Sequence, residues 1–383
     1  MPPGPTPPRA LGRVPALDSL RAIAVLLVLG THVWAVFPSA PGAEGPLDAG
    51  FLGVDLFFVL SGFLITALLL EEHDASAGIG LHRFYARRAL RLLPAMLLFL
   101  AVYAVYGATN DWPPFGRADF FGDSVQATLL YYMNWRVLWN PLGAADLTAI
   151  WSLSIEEQYY FAWPLLLLGL LSWRRLRPHA GWLLAGAAVA VTAWRLVVFE
   201  RLGWEAAYLR TDTRIDGLLW GSLGGWLFVN RRLPTSLPRW TPLAVIGLWV
   251  PLLALVRADE RNAYAGGITL WVLSSLVLVV HLANRPDAFT RGRVATLSRG
   301  LGRVSYAAYL WQLPVLRAVE RWTPDWERAP RIAASLALLA ACTAASWFAV
   351  ERPALALKRR VAARRAGEVS VGSGEPSPHP APG

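Results

Sequence analysis

The first apolar run of the chain carries three ionisable groups, Asp18, Arg21 and His32. A charged or titratable side chain inside a membrane helix is expensive to keep, so each is a candidate for chemistry. Arg21 and His32 are eleven residues apart, which on an α-helix returns to one face within about 20° and separates them by roughly 16 Å along the axis. That spacing puts a guanidinium at one membrane boundary and an imidazole in the opposite half. A neutral imidazole suits general-base work. The plainer alternatives are that Arg21 reaches lipid phosphates and His32 completes a neighbour's hydrogen bond. Further along, Gly53-Val54-Asp55 opens an apolar run in which Ser61-Gly62 permits either close helix approach or room for a ligand. Arg88 and Arg91 share a helix face and, with Arg87, form a patch suited to phosphates, whether of lipid headgroups or of a nucleotide cofactor. Glu156 and Glu157 are adjacent in an apolar helix and cannot both face lipid, so one must turn into the bundle. The run Asp212-Thr213-Arg214-Ile215-Asp216-Gly217 is dense enough in charge for a polar substrate or for a structural ion-pair network. Tyr309 and Gln312 stand near the middle of another apolar run.

Positioning these residues falls to a chain of 383 residues that is 55% hydrophobic and only 16% charged, with 19 Trp and one Cys. A soluble globular chain carries about 25% charged residues, so a soluble enzyme, a disordered chain and a disulfide scaffold are all disfavoured. Cys342 has no partner and reads as a packing residue, and no Cys/His spacing suggests zinc. Ten segments are expected to cross the bilayer as helices: 17–37, 50–70, 93–107, 149–172, 181–199, 216–230, 241–256, 266–284, 302–319 and 331–351. The amphipathic stretch 120–139 reads as one interfacial helix. The net charge of +10 could suggest nucleic acid. With the N-terminus inside, however, most Lys and Arg fall on inner segments, including Arg174-Arg175, Arg231-Arg232 and Lys358-Arg359-Arg360, and most acidic residues fall outside. The charge therefore sets topology, and no nucleic-acid partner is expected. The expected architecture is an all-α polytopic transmembrane bundle of about ten spans with both termini cytoplasmic. A flexible lead-in covers residues 1–16, the membrane domain 17–357, and a basic then disordered tail 358–383.

The ordered set of polar blocks resembles the acyltransferase-3 family of integral-membrane acyltransferases. The resemblance is carried by Asp18-Ser19-Leu20-Arg21 with His32, Gly53-Val54-Asp55-Leu56-Phe57-Phe58, Arg87-Arg88-Ala89-Leu90-Arg91-Leu92-Leu93-Pro94 and Trp151-Ser152-Leu153-Ser154-Ile155-Glu156-Glu157-Gln158-Tyr159. It continues through Thr211-Asp212-Thr213-Arg214-Ile215-Asp216-Gly217, Ser305-Tyr306-Ala307-Ala308-Tyr309-Leu310-Trp311 and Glu351-Arg352-Pro353. One departure is Gln312, where many members carry His; glutamine keeps hydrogen bonding but cannot take a proton. The position is therefore read as a substrate or structural contact.

The resemblance implies transfer of an acyl group, often acetyl, from cytosolic acyl-CoA to a hydroxyl of an envelope carbohydrate or glycosylated metabolite, by a multi-pass protein of the cell membrane. Acetyl-CoA is the expected donor, and no metal is expected. Arg21, Arg88 and Arg91 would bind the donor phosphates, while His32 and Glu156 would be catalytic. Asp55, Arg214, Asp216, Tyr309 and Gln312 would contact substrate. No Gly-x-Ser-x-Gly elbow suggests a serine acyl-enzyme. The competing reading from the same buried charges is a transporter or flippase for a lipid-linked or amphipathic substrate, against which no inverted repeat is evident.

Overall fold

The computed structural model describes residues 11–12, 14–40, 45, 47–76, 78–109, 118–285 and 291–356. Most of the expected lead-in, and the whole tail 358–383 with its Lys358-Arg359-Arg360 cluster, lie outside the described residues. Among the described residues there is no strand. The helices are α1 (Pro15–Val36), α2 (Leu52–Ser76), α3 (Leu81–Thr109), α4 (Ala118–Leu129), α5 (Met133–Trp139), α6 (Trp151–Ser172), α7 (Ala180–Leu202), α8 (Trp204–Leu209), α9 (Thr211–Arg214), α10 (Asp216–Val229), α11 (Thr241–Leu255), α12 (Ile268–Ala283), α13 (Arg293–Arg303), α14 (Ser305–Trp322) and α15 (Arg328–Ser346).

Each of the ten apolar segments is helical. Among the described residues, six helical stretches are long and apolar enough to cross a membrane: Pro15–Val36, Asp48–Ser76, Leu81–Thr109, Arg177–Leu202, Ala263–Ala283 and Arg328–Ala356. Thr241–Leu255 is apolar but shorter. The remaining three fall short for visible reasons. α6 carries Glu156-Glu157-Gln158, α10 has only 14 residues, and α14 carries Arg317, Glu320 and Arg321. Large apolar side chains face outward, among them Trp182, Leu243 and Phe348. On a soluble protein such a surface would be a liability; lipid makes it the stable choice. The molecule is an all-helical membrane protein.

Two elements differ from expectation. α3 starts at Leu81, well before residue 93, so Arg87, Arg88 and Arg91 ride on the same rod as the apolar segment and their angular spacing is fixed. The stretch 120–139 is two helices, broken where Tyr131 adopts a left-handed φ of 55°. The Gln158 side-chain amide pins that break, donating to the Tyr131 carbonyl (2.6 Å) and to Asn134 Oδ1 (3.0 Å).

α2 is the centre of the bundle, buried along most of its length. Its tightest neighbour is α10, where Gly217, Gly221 and Gly225 recur every four residues and so share one face. A Cβ on Gly62 would overlap the Leu218 carbonyl, and one on Gly221 would overlap the Val59 carbonyl. The two backbones therefore touch, which is how small residues associate helices where lipid gives no hydrophobic drive.

Candidate active site

A cavity of about 510 Å³ runs along α2 and is completed by α1, α3, α6 and α14. On α2 it is lined from Val54 to Glu72, eighteen residue steps or about 27 Å of helix. One end is cationic. Arg21 of α1 and Arg87, Arg88 and Arg91 of α3 line it together with Glu72. These arginines are not equivalent. Arg87 is paired with Glu72 (3.1 Å), which also holds Arg83 (3.2 Å). Arg88 forks onto Glu157, with Nε to Oε2 at 2.9 Å, and its guanidinium lies 3.2 Å from the centre of the Tyr160 ring. Arg21 and Arg91 form no direct ion pair among the described residues, although Glu156 and Glu351 lie within electrostatic reach of Arg91, and the two guanidiniums are close enough to repel each other. Two guanidinium forks facing an open space are a ready anion site.

The middle of the wall is polar through α6. Ser152, Glu156 and Tyr160 follow each other at four-residue spacing and so line one stripe. Glu156 accepts hydrogen bonds from Ser61 and from the Tyr160 hydroxyl (2.7 Å). Glu156 and Glu157 thus both have partners, one toward the cavity and one toward Arg88. At the far end Tyr309 lines the cavity, donating to the Ala149 carbonyl (2.6 Å) and bonded to Ser152; Phe57 packs edge-on against its ring. The C-terminal part of α14 is fixed by Arg321, whose guanidinium forks onto Asp146 at 2.6 and 2.7 Å.

His32 does not line this cavity. It lies beyond the far end, where Gln312, one turn along α14 from Tyr309, sits beside its ring and Arg317 is near. Gln312 is fully buried, and both of its amide atoms, as well as His32 Nδ1, lack hydrogen-bond partners among the described residues. Unpaired polar atoms are costly to bury unless something completes them. Below His32, Val25 and Val28 are packed and do not line the cavity.

The third group stands apart. Asp55, Arg214, Asp216 and Arg195 are all fully buried. Arg214 contacts Asp55 at 2.9 Å, and Arg195 pairs with Asp216. None lines the cavity; the four charges sum to zero and pair off as Arg214 with Asp55 and Arg195 with Asp216. Asp212, on the adjoining α9, is held below the ordinary carboxylate range. Partial burial pushes it up, and bonds from Arg210 (2.9 Å) and Trp194 (2.8 Å) outweigh that. Among the described residues no three His, Cys, Asp or Glu side chains gather as metal ligands would.

Of the residues singled out from the sequence, the structure brings Arg21, Arg88, Arg91, Glu156 and Tyr309 to one cavity. It sets His32 and Gln312 just beyond it, and Asp55, Arg214 and Asp216 elsewhere. Sequence reasoning passed over Tyr160, Ser152 and Glu72 as cavity residues. The first two were signalled by their spacing of four from Glu156; Glu72 had no local signal.

The profile of an acyltransferase domain family, acyltransferase 3, matches residues 14–351. The chain is 28% identical over 322 residues to the peptidoglycan O-acetyltransferase OatA of Listeria monocytogenes, covering 79% of this chain and 49% of that protein. It is 28% identical over 316 residues to the O-acetyltransferase OatA of Staphylococcus aureus (strain NCTC 8325), covering 79% and 50%. The chain therefore spans about half the length of these relatives. No solved structure matches.

Proposed function

Because the chain belongs to the acyltransferase-3 family and is an acyltransferase, we propose that it moves an acetyl group from acetyl-CoA, bound at the arginine end of the cavity, to a hydroxyl of an envelope carbohydrate or glycosylated metabolite. The observation that carries this reading is the cavity itself, with Arg21 and Arg91 unpaired at one end and a polar wall leading toward His32. The donor phosphates would be held by Arg21 and Arg91 through charge-assisted forks, with Arg88 held in place by Glu157. The cavity's length along α2 then suits an extended arm that delivers the thioester to the Tyr309 end. The reading places all ten helical segments across the cell membrane, both termini and the arginine end on the cytosolic side, and His32 toward the acceptor.

His32 takes the proton of the acceptor hydroxyl as its oxygen attacks the thioester carbonyl; the C–O bond forms, the C–S bond breaks, and the proton passes to the departing sulfur. Gln312, beside the ring, orients the acceptor or the imidazole through its two unpaired amide atoms. Glu156 acts from the wall, polarised by Ser61 and Tyr160. Asp55, Arg214 and Asp216 serve the acceptor side by holding the fold there, Asp55 with Arg214 tying α2 to α9 and Asp216 with Arg195 tying α10 to α7. The name of the Listeria relative makes a cell-wall glycan the first acceptor to try.

Membranes containing the protein, given acetyl-labelled acetyl-CoA and glycan fragments, should place label on a glycan hydroxyl and release CoA in equal amount. Replacing Arg91 by Ala removes one charged hydrogen-bonding fork and should raise the donor KM about ten-fold with kcat little changed. Substrate that crosses vesicle membranes with no CoA released would overturn the reading in favour of transport.

A further inference from the structure

A second cavity, of about 300 Å³, lies between the first turns of α7 and the last turns of α10. It shares no residue with the cavity along α2. Its wall is apolar, built by Gly181, Trp182, Ala185, Leu223 and Trp226, with Arg232 as its one charged member. The hollow exists because Gly181 lets the Trp226 ring lie against the α7 backbone, where a Cβ would collide with it.

Three observations say what fills it. First, the cavity opens on the lipid side: the apolar window of Arg177–Leu202 is only 22% buried within the protein, and Trp182 is 81% exposed. Second, it sits at a membrane boundary, where an apolar helix gives way to exposed arginines (Arg174, Arg175 and Arg177 ahead of α7, Arg232 after α10). Third, that boundary has one sign of charge. The sequence has no Asp or Glu between residues 158 and 199, nor between 217 and 256, and the Arg232 guanidinium has no ion-pair partner among the described residues. Volume near 300 Å³ is at the small end of ligand pockets and suits an acyl chain better than a headgroup. Basic pockets between membrane helices hold anionic headgroups.

We propose that this groove is a binding site for one anionic phospholipid, its acyl chain between Trp182 and Trp226 and its phosphate on Arg232. The site does not depend on the reaction assigned above. α10 is the element in common: its glycine face holds α2, and its Trp226 face holds the lipid.

The test is native mass spectrometry of the full chain in mild detergent, with phosphatidylglycerol or phosphatidylcholine of the same acyl composition. Phosphatidylglycerol should be retained as a single bound molecule and phosphatidylcholine released. Arg232→Ala should weaken retention about five-fold, the effect of one guanidinium near a headgroup. Arg239→Ala, which removes an exposed charge from the α10–α11 loop outside the cavity, should leave retention unchanged. Ala185→Leu, which narrows the hollow, should also weaken it; if that variant fails to fold, the two arginine variants still decide. Equal retention of both lipids, an equal effect of the two arginine variants, or full displacement by glycerol 3-phosphate would overturn the proposal.

Discussion

Replacing Arg214 by Met tests the reading of the buried charges most directly. Arg214 and Asp55 are both fully buried and 2.9 Å apart, with Asp216 and Arg195 completing a neutral set of four. Met fills most of the volume of the arginine stem but removes the cation, leaving two carboxylates facing one guanidinium. Breaking a buried pair from one side costs about 3–5 kcal/mol, whereas replacing both partners by apolar groups is often neutral. Arg214→Met alone should therefore lower the folding equilibrium more than about one hundred-fold, and adding Asp55→Leu should recover most of the loss. Thermal unfolding in mild detergent, followed by tryptophan fluorescence and by the monodisperse fraction after heating, reads both. The reasoning fails if Arg214→Met melts with the wild type, or if the double variant is no better than the single one. A recovered double variant with an unchanged acceptor KM would also show that these charges act through the fold.

Gly62→Ala forces a methyl into the Leu218 carbonyl and must part α2 from α10; a loss of roughly 1–3 kcal/mol is expected in the same melting assay. Glu157→Gln keeps a hydrogen-bond acceptor for Arg88 but removes the charge. The freed guanidinium should raise the donor KM or its salt sensitivity several-fold without abolishing transfer, as measured by CoA release against ionic strength. His32→Ala should abolish acetyl transfer while leaving the melting curve in place, since the buried Nδ1 it removes has no hydrogen-bond partner among the described residues; undiminished transfer would remove His32 from the mechanism.

The helices themselves were legible because lipid demands long apolar runs, and six stretches among the described residues carry that mark in full. The arginine patch was legible too, since three arginines at helical spacing announce a face. Which arginine is free was not. Arg88 and Glu157 are 69 residues apart in the chain, and Arg87 and Glu72 are 15, so only the packing of α2, α3 and α6 decides that Arg91 and Arg21 are left unpaired. Likewise, Asp55 and Arg214 read from the sequence as substrate contacts, and only the fold shows them within 3 Å of each other. The break at Tyr131 escaped notice for a different reason: neither Gly nor Pro stands there, and the left-handed turn is held from outside by Gln158.

The contact of α2 with α10 has a consequence for motion. Where backbones touch through Gly62 and Gly221 there is no side-chain slack to take up sliding or tilting. One wall of the cavity along α2 is thus a fixed frame. The opposite wall is coupled differently. α3 and α6 are strapped to each other by Arg88 on Glu157 and by the Tyr85 hydroxyl on the Phe161 carbonyl (2.7 Å), while α6 and α2 meet through side-chain tips, Ser61 donating to Glu156 and the Trp163 indole donating to Thr66. Tips can re-form at new distances; touching backbones cannot. Widening of the cavity on that side would therefore break side-chain bonds such as these and leave the α2–α10 contact standing.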